Sequence, residues 1–216
     1  MTFDIKICGL RTATTVEAAA DAGATMIGLV FFPKSPRHVS RAEARTAAGA
    51  RAGLIRVALT VNADDQEIAD ILGAVPVDWL QLHGAEPPER VRQVKDKFGL
   101  PVMKALGVAT PEDVAAAQDF AGGADRILFD AKPPQDATRP GGLGAVFDWG
   151  VLAAVDGRVP WMLSGGLTPD NVAEAVTAVK DLPGFSGVDV SSGVERAPGE
   201  KDAERIAAFV TAAKAG

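Results

Sequence analysis

The chain has 216 residues, enough for one domain with a large core, and its 47% hydrophobic and 23% charged residues are typical of a globular protein. Its net charge of −6, without a basic block, argues against a general nucleic-acid surface. One cysteine excludes an internal disulfide framework and a cysteine-rich zinc site, and no stretch approaches the roughly 20 apolar residues of a membrane span.

The first segment of the chain is a predicted strand over residues 3–8, where apolar and polar residues alternate. The alternation places Asp4, Lys6 and Cys8 on one face. No basic region followed by an apolar one precedes it, as a signal peptide would require. We therefore expect a cytoplasmic protein with neither nucleic acid nor a membrane as a partner.

Strand and helix patterns then alternate along the chain. The remaining predicted strands cover residues 26–32, 54–61, 77–82, 100–105, 126–129, 160–163 and 187–190. The predicted helices cover residues 14–21, 41–52, 64–72, 86–98, 111–120, 147–154, 171–179 and 200–214, with Ser40 as the N-cap of the second. Residues 131–144 interrupt the alternation with a long loop rich in proline and glycine, and loops of this length are usually functional or disordered.

This order amounts to eight strand-then-helix units of roughly 26 residues, and a complete eight-unit barrel takes about 200 residues or more. Strict alternation predicts a parallel sheet with helical crossovers, and eight units favour its closure. No linker is long enough to divide the chain. We therefore predict an α/β fold, a single-domain (β/α)8 TIM barrel over residues 1–216.

Polar residues and glycines follow several of the predicted strands, at the end of the barrel where such folds place their active sites. They are Cys8, Arg37, His83, Asp130, Gly165, Gly166, Ser191, Ser192 and Gly193. Each has an ordinary structural explanation by itself: a lone cysteine is most often a small buried hydrophobe, and glycines make turns. Their convergence on one rim favours a functional site.

Two glycine-containing loops predict a phosphate site. Gly165 and Gly166 follow the seventh strand, and Ser192 and Gly193 follow the eighth. In this fold those two loops commonly bind phosphate, because glycine lets backbone N–H groups approach an anion closely. An acidic protein could thus hold a phosphate without a cluster of lysines, although the motif does not name a reaction.

The predicted position of Lys6 inside the barrel requires a partner, because a buried ammonium must be paired. Strand eight neighbours strand one in a closed barrel, so we expect Asp189 beside Lys6. Asp189 and His83 are also our candidates for substrate binding.

The motifs together resemble one family, the phosphoribosylanthranilate isomerases of tryptophan biosynthesis, nearly from end to end. They are K-I-C-G at 6–9, F-F-P-K-S-P-R at 31–37, L-Q-L-H-G at 80–84, Asp130 with the later G-G-L-G and F-D-W, S-G-G-L-T-P-D-N-V at 164–172, V-D-V-S-S-G-V-E at 188–195 and G-x-K-D at 199–202. The resemblance implies that Cys8 is the general base, that Asp130 is the general acid and that Arg37 binds the anthranilate carboxylate. The chain departs from the family at Leu143, where Thr or Ser is usual, so we expect no hydroxyl contact from that position.

The implied chemistry suits these residue types. Converting an N-aryl aminoaldose phosphate into an aminoketose requires an acid that protonates the ring oxygen and a base that removes the C2 proton. A carboxylic acid can serve as the acid, and cysteine, with a reference pKa of about 8.5, can serve as the base. No metal and no organic cofactor is expected, and the partner is a small phosphosugar–anthranilate substrate.

Other barrel functions remain open from the sequence. A related aminoaldose-phosphate isomerase would be expected to use two aspartates, and an indole-forming synthase a lysine and glutamates; Cys8 with Arg37 argues against both. A non-catalytic phosphosugar-binding protein would need the glycine loops but neither Cys8 nor Asp130. Of the possible oligomeric states, we favour a monomer.

Overall fold

The computed structural model describes residues 3–132, 141 and 147–216. Its core is a closed barrel of eight parallel strands in sequence order, with the first paired to the eighth. The strands are β1 (Asp4–Cys8), β2 (Met26–Val30), β3 (Ile55–Thr60), β4 (Trp79–Leu82), β5 (Val102–Val108), β6 (Arg126–Ala131), β7 (Trp161–Leu163) and β8 (Phe185–Val190). This closure confirms the predicted (β/α)8 TIM-barrel fold.

Helices pack around the barrel. They are α1 (Ala13–Ala22), α2 (Arg41–Gly49), α3 (Asp65–Ala74), α4 (Pro88–Phe98), α5 (Pro111–Ala115), α6 (Val172–Val179) and α7 (Ala203–Ala215). Short 3₁₀ helices cover Ala116–Phe120, Trp149–Ala154 and Ser192–Val194, and a hairpin of β9 (Glu195–Ala197) and β10 (Glu200–Lys201) precedes α7. Within the described ranges, no helix is long and apolar enough to cross a membrane.

Local sequence signals explain where these helices begin and end. Ser40 caps α2 as predicted: its hydroxyl accepts from the Glu43 N–H, and the Glu43 carboxylate accepts from the Ser40 N–H. Asp64 and Glu67 form the same capping box at α3. Gly23 ends α1 in the left-handed conformation that glycine adopts without strain.

Several predicted boundaries differ from the structure. The helix predicted over residues 111–120 changes to 3₁₀ geometry after Ala115, and the one predicted over 147–154 is a 3₁₀ helix. The predicted final helix over 200–214 begins only at Ala203, because Asp202 caps it and Glu200–Lys201 pairs in the hairpin. Strand β8 begins two residues early, because Phe185 pairs with Trp161 of β7 in the parallel register. Residues 133–140 and 142–146, including Leu143, lie outside the described residues.

The side chains inside the barrel form a polar layer near the N-terminal ends of the strands and an apolar layer in the middle, and the candidate site residues lie at the C-terminal ends. Near the N-terminal ends of the strands, Arg126 donates to Asp4 and lies over the Trp79 ring. Methionines and aliphatic side chains fill the next layer: Met26, Val57, Met103, Ala105, Leu128 and Met162. Ile5 and Ile7 pack outward against the helices, so the predicted inward face of β1 is confirmed.

Candidate active site

An open cleft of about 780 Å³ lies at the C-terminal ends of the strands. It brings together the following predicted residues: Cys8, Arg37, His83, Asp130, Gly165, Gly166, Asp189, Ser191 and Ser192. Gly193 does not line it. A Cβ at Gly193 would lie 1.9 Å from the Leu167 carbonyl oxygen, so the glycine permits two loops to touch rather than facing the cleft.

Cys8 lies at the end of β1, buried, with its thiol toward the cleft. Its neighbour in the β1–β2 register is Gly28, and a Cβ at that position would lie 2.7 Å from the Cys8 sulfur. Gly28 therefore makes room for the thiol, which the sequence analysis missed. Burial raises the pKa of Cys8 above its ordinary value, while the positive charge of Lys6 acts in the opposite direction.

Lys6 is fully buried beside Cys8 and donates to Asp189 Oδ1 over 2.7 Å, as predicted. Asp189 Oδ2 accepts from the Ser164 hydroxyl at 3.1 Å. Burial by itself would lower the pKa of Lys6, but the Asp189 carboxylate and Cys8 together more than reverse this and raise it. Because both Asp189 oxygens have protein partners, its contact with a substrate would be shared with Lys6 and Ser164.

Asp130 and His83 form a close pair across the ends of β6 and β4. His83 Nε2 lies 3.3 Å from Asp130 Oδ2, and the Ala131 N–H donates to Asp130 Oδ1 at 2.9 Å. Gln81, fully buried on β4, places its Nε2 atom 2.9 Å from His83 Nδ1. Gly141 lies against this pair, since a Cβ at that position would be 2.6 Å from both His83 Nε2 and Asp130 Oδ2.

Arg37 is held by a residue that the sequence analysis did not assign. Its Nε and Nη2 atoms donate to the two carboxylate oxygens of Glu195 over 2.7 and 2.8 Å. Its aliphatic stem lies over Gly9, where a Cβ would approach the Arg37 Cδ to 2.7 Å.

Glu195 also pairs with Lys201, which donates to Glu195 Oε1 and to the Ser191 carbonyl over 2.7 and 2.8 Å. Burial lowers the pKa of Lys201 to about 8. The Ser191 hydroxyl donates in turn to the Cys8 carbonyl at 3.1 Å. The signal for this network was present in the V-E and G-x-K-D motifs, but their pairing with Arg37 depends on loops that meet only in the folded chain.

The two predicted phosphate loops lie next to each other, since Gly193 abuts the Leu167 carbonyl, and Gly165, Gly166 and Ser192 line the cleft. Gly165 and Gly166 both have positive φ, 87° and 63°, and a Cβ at Gly165 would lie 2.4 Å from the Ala131 nitrogen. Asn171 fixes the loop by donating to the Gly166 carbonyl and accepting from the Thr168 N–H. Among the described side chains, no group of three or more His, Cys, Asp or Glu residues could hold a metal ion.

Comparison with known proteins identifies the family. Residues 5–212 match the model of N-(5'-phosphoribosyl)anthranilate (PRA) isomerase. The chain is 56% identical, over all of its length and 97% of the relative, to the N-(5'-phosphoribosyl)anthranilate isomerase of Rhodopseudomonas palustris strain BisB5. It is 55% identical to that of Cereibacter sphaeroides, covering 97% of this chain and 98% of the relative.

Solved structures agree with this match. The phosphoribosyl anthranilate isomerase of Thermotoga maritima superimposes with a TM-score of 0.87 at 36% identity, over 99% of both chains. Another phosphoribosyl anthranilate isomerase, solved in complex with reduced 1-(o-carboxyphenylamino)-1-deoxyribulose 5-phosphate, matches with a TM-score of 0.84 at 33% identity over 99% of both chains. The match extends over nearly the whole sequence and the whole barrel, and the chain belongs to the N-(5'-phosphoribosyl)anthranilate isomerase family of tryptophan biosynthesis.

Proposed function

We propose that Cys8 and Asp130 isomerise N-(5'-phosphoribosyl)anthranilate to 1-(o-carboxyphenylamino)-1-deoxyribulose 5-phosphate by general base and general acid catalysis. The observation that carries the assignment is one cleft lined by a thiol, a carboxyl, an arginine and the two predicted phosphate loops. The direct test follows the loss of fluorescence of the anthranilate adduct with the pure protein. A folded protein without this activity would refute the function.

The reaction begins at the ring oxygen of the ribose. Asp130 donates a proton to this oxygen as the C1–O bond breaks, and the nitrogen lone pair completes a C=N iminium. The iminium acidifies the C2 proton, which the Cys8 thiolate removes to leave an enol. The Cys8 proton then passes to C1, and the enol hydroxyl releases its proton as C2 becomes a carbonyl. The proton count closes without a cofactor.

Lys6 and Lys201 support the base in this scheme. Both ammonium groups lower the pKa of Cys8 against the effect of burial, while the Asp189 carboxylate raises it. The Lys6–Asp189 pair therefore favours the thiolate less than a lone lysine would, and it keeps the buried lysine charged.

The pH profile of kcat/KM should be bell-shaped, because the reaction requires an unprotonated base and a protonated acid. Burial raises the pKa of Cys8, so the thiol titrates above the reference values of a carboxyl and an imidazole. The alkaline limb therefore reports Cys8, and the acidic limb reports the acid. An ultraviolet titration of the thiolate should have its midpoint on the alkaline limb; a thiolate fully formed on the acidic limb would contradict this.

Arg37 is our candidate for the anthranilate carboxylate. Hydrogen bonds to charged groups contribute roughly 1.5–3 kcal/mol, and lysine keeps the charge but cannot make the two-point contact by which Glu195 positions the guanidinium. Arg37→Lys should therefore lower kcat/KM by about tenfold or more while the fold survives. The matched control is Arg41→Lys on α2, where Arg41 forms an exposed ion pair with Asp70. This variant should keep the parental kcat/KM. Equal kcat/KM in both variants would refute the role of Arg37.

The substrate phosphate should bind to backbone N–H groups of Gly165, Gly166 and Ser192, which are the predicted phosphate residues that line the cleft. Gly166→Val should raise KM strongly, because a β-branched residue at φ 63° is strained and its side chain blocks close approach of an anion. Gly99→Val is the matched control: Gly99 has φ 66°, and nothing lies within 4 Å of its Cβ position. Both variants should lose stability, but only Gly166→Val should bind the reduced product analogue more weakly.

We further propose that residues 1–216 act as one catalytic domain, as a monomer, in the cytoplasm. Supporting the monomer, Phe3 is the one large apolar side chain that the described surface exposes, whereas interfaces of permanent dimers are hydrophobic. Light scattering on the eluted protein tests the monomer, and fractionation of the source cells tests the location.

A further inference from the structure

The contacts of His83 point to a role other than substrate binding. Its two ring nitrogens face protein atoms: Nε2 faces Asp130 Oδ2 at 3.3 Å, and Nδ1 faces Gln81 Nε2 at 2.9 Å. The His83 and Asp130 side chains keep only 12% and 11% of their surface exposed. Among the described residues, the buried Oε1 of Gln81 has no hydrogen-bond partner.

The Gln81 amide can present either end to the imidazole. With Nε2 toward Nδ1, the neutral ring carries its proton on Nε2 and donates it to an ionised Asp130. With the amide turned by half a rotation, Oε1 accepts from an Nδ1–H group, and one more proton lies between His83 Nε2 and Asp130 Oδ2. In this second, protonated state Oε1 has the imidazole as its partner and the amide nitrogen lies where Oε1 lay, so the turn exchanges which end of the amide is paired.

The proton requirement of the reaction favours the second state. A carboxyl with the reference pKa of about 3.9 holds its proton in only about 0.1% of molecules at pH 7, whereas an imidazole with the reference value of about 6.5 holds one in about a quarter. A base that works at neutral pH or above therefore needs an acid that is protonated in a larger fraction of molecules than a solitary carboxyl is.

We propose that His83 is a second catalytic residue, which shares one proton with Asp130 so that the pair is the general acid, and that Gln81 is a positioning residue that turns with the proton. This inference rests on the proposed function. The shared proton moves to the ring oxygen, which also takes the electrons of the C1–O bond, and the pair is left as neutral imidazole and carboxylate. The proton that the enol hydroxyl releases returns to the His83–Asp130 pair and restores the shared proton.

The charged groups around the pair are largely balanced by partners. Cys8, Asp189 and Arg37 line the same cleft, with Asp189 held by Lys6 and Arg37 by Glu195. Behind β4 and beside β6, Lys104 pairs with Glu86, and Lys132 pairs with Asp113. With one shared proton, the His83–Asp130 pair carries no net charge, which suits a cleft with low exposure.

The pH profile of His83→Gln tests the proposal. The acidic limb of kcat/KM should move to lower pH by more than one unit, and activity at pH 7 should fall by about 10²-fold, because the pair loses the imidazole that shares its proton. The gap to the parent should narrow below pH 6. His38→Gln is the matched control at the only other histidine, and its acidic limb should stay in place. An unmoved limb in His83→Gln overturns the proposal.

A second measurement does not depend on a variant of His83. With ¹⁵N-labelled histidine in the His38→Gln protein, one imidazole remains, and its nitrogen shifts should change with the midpoint of the acidic limb. A His83 that keeps a single neutral tautomer across that limb overturns the proposal. If isomerase activity is absent altogether, the proposed function fails; if activity is normal and only these results are negative, the shared proton alone is wrong.

Discussion

Cys8→Ser and Asp130→Asn are each expected to lose at least about 10²-fold in kcat, with smaller changes in KM, because positioned acids and bases contribute about 10²–10⁴-fold. Serine keeps the size of Cys8, but its hydroxyl has a pKa far above the range in which it could act as a base. Asparagine keeps the shape of Asp130 but has no carboxylic proton to donate. Steady-state assays of the adduct fluorescence measure both losses.

The fold should survive both changes, since the two side chains lie at the rim of the cleft rather than in the packed layers of the barrel. Circular dichroism and thermal unfolding check this. Asp21→Asn serves as a control for the second variant, because Asp21 lies on α1 in an exposed ion pair with Arg51. If both site variants are folded and turn over substrate at parental rates, the mechanism is wrong even though the family assignment stands.

Lys6→Met is expected to lower the free energy of unfolding by about 3–5 kcal/mol, because it leaves the buried Asp189 carboxylate without its countercharge. The ammonium is fully buried and 2.7 Å from Asp189 Oδ1. The loss is measured by urea unfolding, with circular dichroism and tryptophan fluorescence required to report coincident transitions.

Two companion variants separate the buried charge from a general effect of replacing lysine. Lys6→Met with Asp189→Asn removes both charges and should recover much of the lost stability, although not the activity. Lys97→Met breaks an exposed pair with Asp65 and should unfold at nearly the parental urea concentration. A Lys6→Met protein as stable as the parent would show that the pair contributes nothing to the fold.

Properties that repeat along the chain were readable from the sequence. The alternation in β1 predicted which side chains face inward, and eight repeats predicted the closed sheet. Closure then required strand eight beside strand one, so the Lys6–Asp189 pair followed, in the register that the structure has. The cap at Ser40 was equally local, since a capping box involves residues only three positions apart.

The supports of the site depended on tertiary structure. Arg37 and Glu195 are 158 residues apart in sequence, and neither local periodicity nor a single loop indicates that they meet. Gly28 mattered because the β1–β2 register places it against Cys8, and His83 met Asp130 because β4 and β6 end at the same rim. The sequence by itself determined the barrel, the faces of its strands and the residue types at its rim, because these follow from patterns within each repeat. Only the tertiary structure decided which rim side chains pair, because pairing depends on strand register and on loops that approach one another when the barrel closes.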